Sequence, residues 1–304
     1  VILFIIHIYL FQKYSEEGKS MMITKVKRLI SKSVLYFMVI IVSLAITAPF
    51  VIMLSYSFRS SHDIFSLEIG LIPKNPTLSA YYNALFNYKF SGYGFIQWSM
   101  NSIVTCGIAT FFAIFFAAMS GYAISRFKFT GKWILWFLIA FTQTIPWVII
   151  LVPYYITVSR LGLVNSLWTL GATYLAVFLP TSAWLFVGYF DTIPYEIEEA
   201  AKIDGCSTWQ IFLRIILPLS ITSISAIALV AFVTGWSDYL FASVFLKEAR
   251  LWTLPLGLTS FRGEYMIQWA EIMAMSAIVT VPIVVLFIYL QRYLVDMMAG
   301  GVKQ

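Results

Sequence analysis

Glu196, Glu198, Glu199, Lys202 and Asp204 crowd into nine positions between two long apolar runs. Side chains of these types can run acid–base chemistry, hold a metal or dock a partner. The first two uses lack their companions. No Ser/His/Asp or Cys/His set stands at catalytic spacing. The two histidines, His7 and His62, lie in separate regions, and no His/Cys cluster has metal-ligand spacing. Cys106 falls inside an apolar run and Cys206 in the charged stretch, so they make no disulfide framework. A nucleotide engine is missing as well. The nearest approach to a phosphate-binding loop is Gly131-Lys132, but Trp133 follows it and Arg126 stands where the first glycine belongs. The spans also lack the series of carboxylates expected of many proton-coupled carriers.

The charged stretch reads as two short helices. Pro194 suits a first helical turn, where its missing N–H costs nothing. Glu196, Glu198 and Glu199 sit early, where the helix dipole favours negative charge. Ile197, Ala200 and Ala201 share one small apolar face. Gly205 can take the left-handed conformation that stops a helix. Ser207 to Gln210 forms a capping box for the next helix. An apolar stripe of Ile211, Phe212, Ile215 and Ile216 follows. A docking surface and a solvated connector both fit this pattern.

The elements that position this hairpin are apolar. Residues are 61% hydrophobic and 11% charged, with a mean hydropathy of +0.86, far from the roughly 25% charge of soluble domains. Six charge-free runs reach the roughly 20 residues that cross a bilayer. They are Val34–Phe58, Ser99–Ser125, Trp133–Ser159, Leu161–Phe190, Ile215–Ser237 and Ile272–Gln291. Pro49, Pro146, Pro153, Pro180 and Pro282 inside them are expected as tolerated kinks. Thirteen of the 20 Lys and Arg residues fall in the N-terminal segment, the loop after the second run, the hairpin and the tail. The positive-inside rule then puts both termini and the hairpin in the cytoplasm. The net charge of +6 is read as this loop asymmetry, not as a nucleic-acid surface.

Two sizeable loops remain outside, residues 59–98 and 238–271. Trp98, Trp133, Trp136, Trp168, Trp236, Trp252 and Trp269 gather near the span ends, as interfacial anchors do. The opening run VILFIIHIYLF is too short to span and lacks a signal-peptide cleavage site. It is an upstream extension before a more usual start at Met21, an interfacial helix, or an extra membrane-associated helix.

Polar and aromatic groups in or at the ends of spans point to a solute path. Asn101, Gln143, Trp236, Asp238 and Tyr239 are the candidates. An ionised Asp deep in a span costs about 2.5–3.5 kcal/mol unless it meets a cavity or partner. Aromatic faces with neutral hydrogen-bonding groups would suit a neutral sugar. The alternative for Asp238 is a solvated helix end.

The stretch EEAAKIDGCSTWQIFLRIILP resembles the EAA motif of permeases in ATP-binding-cassette importers. Glu199-Ala200-Ala201, Asp204-Gly205, Phe212 and Leu217-Pro218 carry the resemblance; Cys206 stands where Ala is common. It covers residues 33–304, and SGYAISRFKFTGK, WTLPLGL and the tail QRYLVDMMAGGVKQ resemble the carbohydrate-uptake branch, with the G-type permease of maltose-class transporters most similar.

The resemblance implies an all-α integral membrane protein, a six-transmembrane-helix MetI-like bundle with a cytoplasmic coupling helix. Its segments would be an N-terminal cytoplasmic or interfacial stretch (1–32), the permease domain (33–295, with the EAA loop at 191–214) and a cytoplasmic tail (296–304). Glu198, Glu199, Ala200, Ala201, Asp204, Gly205 and Phe212 would couple to the ATPase. Phe261, Arg262, Gly263, Glu264 and Tyr265 would meet an extracytoplasmic solute-binding protein. The implied partners are a second homologous permease in a heterodimer, two cytoplasmic ATPases, that binding protein, membrane lipid and a sugar or oligosaccharide. No cofactor is expected on this chain; ATP and Mg would sit on the ATPases. The implied location is the bacterial cytoplasmic (inner) membrane. A non-sugar cargo, or an ATPase-independent secondary carrier, are the rival readings.

Overall fold

The computed structural model describes the backbone of residues 2–60, 63–65, 70–263 and 267–300; side chains are described at Arg28 and over 31–60, 63–64, 70–263 and 267–291. Regular structure among the described residues is helical, with two isolated bridges at Phe90–Tyr93 and Arg262–Ile267. The chain forms two compact units. One is Val1–Ser55 with Gly70–Ile72; the other is Tyr56–Ile69 with Pro73–Gln304.

The first unit is dominated by α1 (Ile2–Ser57), a single 56-residue helix that contains the apolar stretch Ser31–Ser57. It runs without a break through residues 32 and 33, so the basic flank and the first span share one rod. Pro49 lies inside it without ending it.

In the second unit a 3-10 turn at Asp63–Phe65 precedes α2 (Ser79–Tyr82), which runs into a π-helical turn at Asn83–Asn87. Then come α3 (Phe95–Arg126), α4 (Lys132–Thr144), α5 (Trp147–Arg160) and α6 (Leu167–Phe190). The hairpin follows as α7 (Tyr195–Ile203) and α8 (Thr208–Ile211). A π-helical turn at Phe212–Ile216 and α9 (Leu217–Leu219) lead into α10 (Ile221–Trp236). The chain finishes with α11 (Leu240–Phe245), α12 (Leu254–Leu258) and α13 (Trp269–Gly300).

Among the described residues four helices are long and apolar enough to cross a membrane, or up to six if each of two bent pairs is one span. The expected third span is such a pair. It breaks by 98° between α4 and α5 instead of kinking. Pro146 caps α5, and Ile145 before it is extended at φ −85°, ψ 119°. A residue ahead of proline is pushed out of the helical region, so the chain turns there. The expected fifth span is bent by 76° between α9 and α10, at Ser220. Pro153, Pro180 and Pro282 stay inside their helices as expected.

The centre of this unit is the α3–α6 pair. Ala109, Ala113, Ala117 and Gly121 recur every fourth residue on α3 and are buried. Small residues at this spacing let two helices approach closely, which is how membrane helices gain packing energy without a hydrophobic drive between them. At Gly121 the approach leaves no room for a side chain: a Cβ there would lie 2.7 Å from the Phe186 Cβ and 3.2 Å from the Ala183 carbonyl oxygen.

Two of the expected interfacial tryptophans are core residues instead. Trp98 and Trp236 are fully buried, while Trp133 and Trp168 are exposed as anchors would be. The tryptophan that packs inward is the one whose indole N–H finds a carbonyl: Trp98 donates to Ala249 at 2.8 Å and Trp236 to Val279 at 3.1 Å.

Candidate functional site

The hairpin forms as its local signals require. Pro194 precedes α7, Glu196 and Glu198 fall in its first turn and Lys202 in its last. Gly205 sits at φ +85°; its N–H donates to the Lys202 carbonyl and the Cys206 N–H to the Ala201 carbonyl, both at 3.0 Å. That pairing is the Schellman stop, which needs the left-handed residue. At α8 the capping box is complete. The Gln210 N–H donates to Ser207 Oγ at 3.3 Å, and the Ser207 N–H donates to Gln210 Oε1 at 2.8 Å. Ser207→Ala should therefore weaken the start of α8 by about 1 kcal/mol. Hydrogen exchange at the amides of residues 208–211 should quicken about fivefold, while those of 197–203 hold.

Tertiary contacts decide which side faces inward. The resemblance assigned all seven of Glu198, Glu199, Ala200, Ala201, Asp204, Gly205 and Phe212 to ATPase coupling. Three of them are turned in. Ala201 and Phe212 pack in a core with Tyr122, Phe186, Phe190, Ile211 and Ile216. The Phe212 ring lies 5.1 Å from that of Tyr122. Glu198 is 1% exposed. It accepts from the Tyr122 hydroxyl at 2.8 Å and from Arg126 Nε at 2.5 Å. Arg126 Nη2 donates in turn to the Ile193 carbonyl at 2.9 Å. Next to it Ser125 Oγ donates to Asp191. The hairpin is thus bolted to the last turn of α3. A buried ion pair of this kind strands a charge when one partner is removed, at about 3–5 kcal/mol.

The outward face holds Glu199, Ala200, Asp204 and Gly205, together with a residue that the motif did not flag. Ile203 is 87% exposed at the tip of α7, and Trp209 on α8 is half-exposed. A β-branched apolar side chain set among charges, just before the glycine stop, was the available signal.

The other end of α3 carries a second set of side-chain ties. Trp98 Nε1 donates to the Ala249 carbonyl. Asn101 Nδ2 donates to the carbonyls of Arg250 and Trp252, each at 2.9 Å. Ser102 Oγ accepts from the Leu254 N–H at 2.7 Å. From the α5–α6 turn, Asn165 accepts the N–H groups of Lys247 and Glu248 at 3.0 Å each. Residues 246–254 are therefore strapped across the tops of α3 and α6. Asn101, expected to line a solute path, is buried and spent on this strap.

Other path candidates do not converge. Trp236 is buried against α13, so it offers no lining surface. Asp238, two residues past α10, accepts from the Tyr174 hydroxyl at 2.9 Å and from the N–H groups of Phe241 and Ala242, so it caps α11. Burial pushes its carboxyl above the ordinary aspartate range, opposed by the Tyr174 hydroxyl and by backbone N–H groups at residues 240–242. Tyr239 is half-exposed. Gln143 accepts from Thr181 Oγ1 at 2.9 Å beside the α4–α5 break, with its side chain open. Asp238→Ala should consequently loosen α11 before it alters any passage. Faster exchange at the amides of 241–242 is the expected readout.

In the loop expected to meet a binding protein, Phe261 is fully buried and stacks on Tyr88 at 4.1 Å. It anchors the loop and leaves Arg262 and Gly263 exposed. Glu264 and Tyr265 lie outside the described residues. Among the described residues no cluster of His, Cys, Asp and Glu could hold a metal.

Residues 109–299 match the family described as "Binding-protein-dependent transport system inner membrane component". The galactooligosaccharides transport system permease protein GanQ of Bacillus subtilis is 32% identical over 92% of this chain and 98% of its own. The maltodextrin transport system permease protein MdxG of the same organism is 32% identical over 91% and 98%. A chain in the crystal structure of a bacterial ABC transporter involved in the import of the acidic polysaccharide alginate superposes with a TM-score of 0.72, at 21% identity, over 87% of this chain and 96% of that one.

Proposed function

The chain belongs to the binding-protein-dependent transport system inner membrane component family, and on that premise we propose that it forms half of a passage for a sugar or oligosaccharide, driven by ATPases that dock on the α7–α8 hairpin. It is an ABC importer permease subunit of the inner membrane and not itself an enzyme. The observation that carries the docking reading is the outward face of the hairpin: Ile203 at 87% exposure among Glu199, Ala200, Asp204 and Gly205, on a scaffold whose inward face is fully tied down. An exposed apolar residue rimmed by charge is what an interface anchor needs. The carbohydrate cargo is supported by the names of GanQ and MdxG.

In this reading both termini and the hairpin are cytoplasmic. A second, homologous permease completes the passage, two ATPases hold ATP and Mg, and an extracytoplasmic binding protein delivers solute. ATP binding draws the two hairpins together and tilts the permeases outward; hydrolysis resets them. The transition is a rigid-body one between two packed states.

Proteoliposomes holding the full assembly should accumulate labelled maltotriose or a labelled galactooligosaccharide only with ATP. The same vesicles without the ATPases should show no uptake of either. Uptake without ATPases would replace this reading with that of a secondary carrier. ATP-driven uptake that refuses a broad sugar panel but accepts amino acids or phosphate would replace the cargo class.

A further inference from the structure

Two observations single out α3, a helix of 32 residues and about 48 Å at the helical rise. It contains no proline, whereas α1, α6 and α13, the other three long spans, each contain one. The α4–α5 and α9–α10 spans are broken outright. Finally, α3 is held at both ends by buried polar side chains, not by apolar contact alone. Apolar surfaces slide past one another at little cost, but a buried hydrogen-bonded charge cannot leave its partner without a large desolvation penalty.

We propose that α3 is the rod that carries hairpin movement through the protein. Glu198, Arg126 and Tyr122 form the joint at the hairpin end, and Trp98, Asn101 and Ser102 form the joint to the strap at 246–254. The proposal rests on the docking reading of the hairpin. The six residues are positioning residues: none needs to touch solute or nucleotide. Their part is to make the hairpin, α3 and the strap move as one body. Displacement imposed at Ile203 then reappears at the strap instead of being absorbed at the α7–α3 junction. Any rod with one loose end transmits nothing, so either joint is sufficient to uncouple the two faces.

The test uses the assembled transporter with a spin label on Arg250→Cys, made in a Cys206→Ala background. Arg250 is well exposed and its carbonyl is held by Asn101. Trapping ATP on the ATPases with vanadate should change the label's mobility. Glu198→Gln at one end and Asn101→Ala at the other should each shrink that change at least about fivefold, within the usual range of coupling between sites. ATP hydrolysis should stay within about twofold, and a cysteine at Ile203 should still crosslink to the ATPase. Uptake should fall about tenfold in Glu198→Gln and in Arg126→Gln, and no further in the double variant, because the pair acts as one unit. Tyr122→Phe keeps the ion pair, and so the fold, and should lower uptake about threefold.

A full response of the strap label in both joint variants overturns the proposal. So does a joint loss of hydrolysis, crosslink and uptake in Tyr122→Phe, which would make the cluster a folding element only. Absence of the Ile203 crosslink in the otherwise unaltered chain is a different failure, that of the docking reading itself.

Discussion

Gly205→Asp and Glu199→Lys should each lower uptake about 100-fold, equivalent to about 2.7 kcal/mol of docking energy, while the chain inserts at its normal level. The structure separates these two consequences. A Cβ at Gly205 would meet no atom within 4 Å, so a side chain has room. The left-handed backbone at φ +85° costs an ordinary residue about 1–2 kcal/mol, and Asp and Asn pay least. The fold survives such a strain, so a large transport defect must come from what the outward face meets. Gly205→Asn carries the same backbone strain without charge and should lose less uptake than Gly205→Asp. Glu199 is exposed and does not belong to the Glu198–Arg126 pair, so its reversal leaves the joint intact. Uptake measured beside membrane-inserted protein decides the matter; normal uptake in both variants removes docking from this face.

Gly121→Leu should cost the folded protein itself, by about 3 kcal/mol or more. The atoms that a side chain would strike are the Phe186 Cβ and the backbone of Ala183 and Val187, none of which can swing aside. The α3–α6 crossing must then open along its whole length, since Ala113 and Ala117 sit on the same stripe. Gly107→Leu is the control on the same helix, because a Cβ there meets nothing within 4 Å. In detergent the first variant should lose its monodisperse peak or melt well below the parent, and the second should do neither. Equal behaviour of the two would mean that α6 does not set the α3 packing distance.

What the sequence disclosed follows from how local each signal is. The span positions were legible because bilayer thickness dictates run length directly. Both hairpin helices were legible for the same reason: Pro194, Gly205 and the Ser207–Gln210 box act within four residues. The break at Pro146 was read as a kink, since proline inside a span is usually absorbed by neighbours, and only Ile145's extended backbone reveals the turn. The inward turn of Glu198 depends on Tyr122 and Arg126, 76 and 72 residues earlier, which no periodicity of α7 can express. Asn101 and Phe261 went the same way. Each looks like a free polar or aromatic group until Arg250, Trp252 or Tyr88 arrives from a distant segment.

Docking on the hairpin is the claim on which the rest depends, and two single cysteines address it directly. Both are made in a Cys206→Ala background; Cys106 is buried and does not compete. Ile203→Cys stands at the exposed tip, whereas Ala201→Cys, two residues earlier and on the opposite side of the same helix, faces the core at 6% exposure. With a short bifunctional crosslinker on intact transporter, Ile203→Cys should join this chain to an ATPase subunit in good yield and Ala201→Cys should not. No ATPase adduct at Ile203, in assemblies that still hydrolyse ATP and take up solute, would contradict the account.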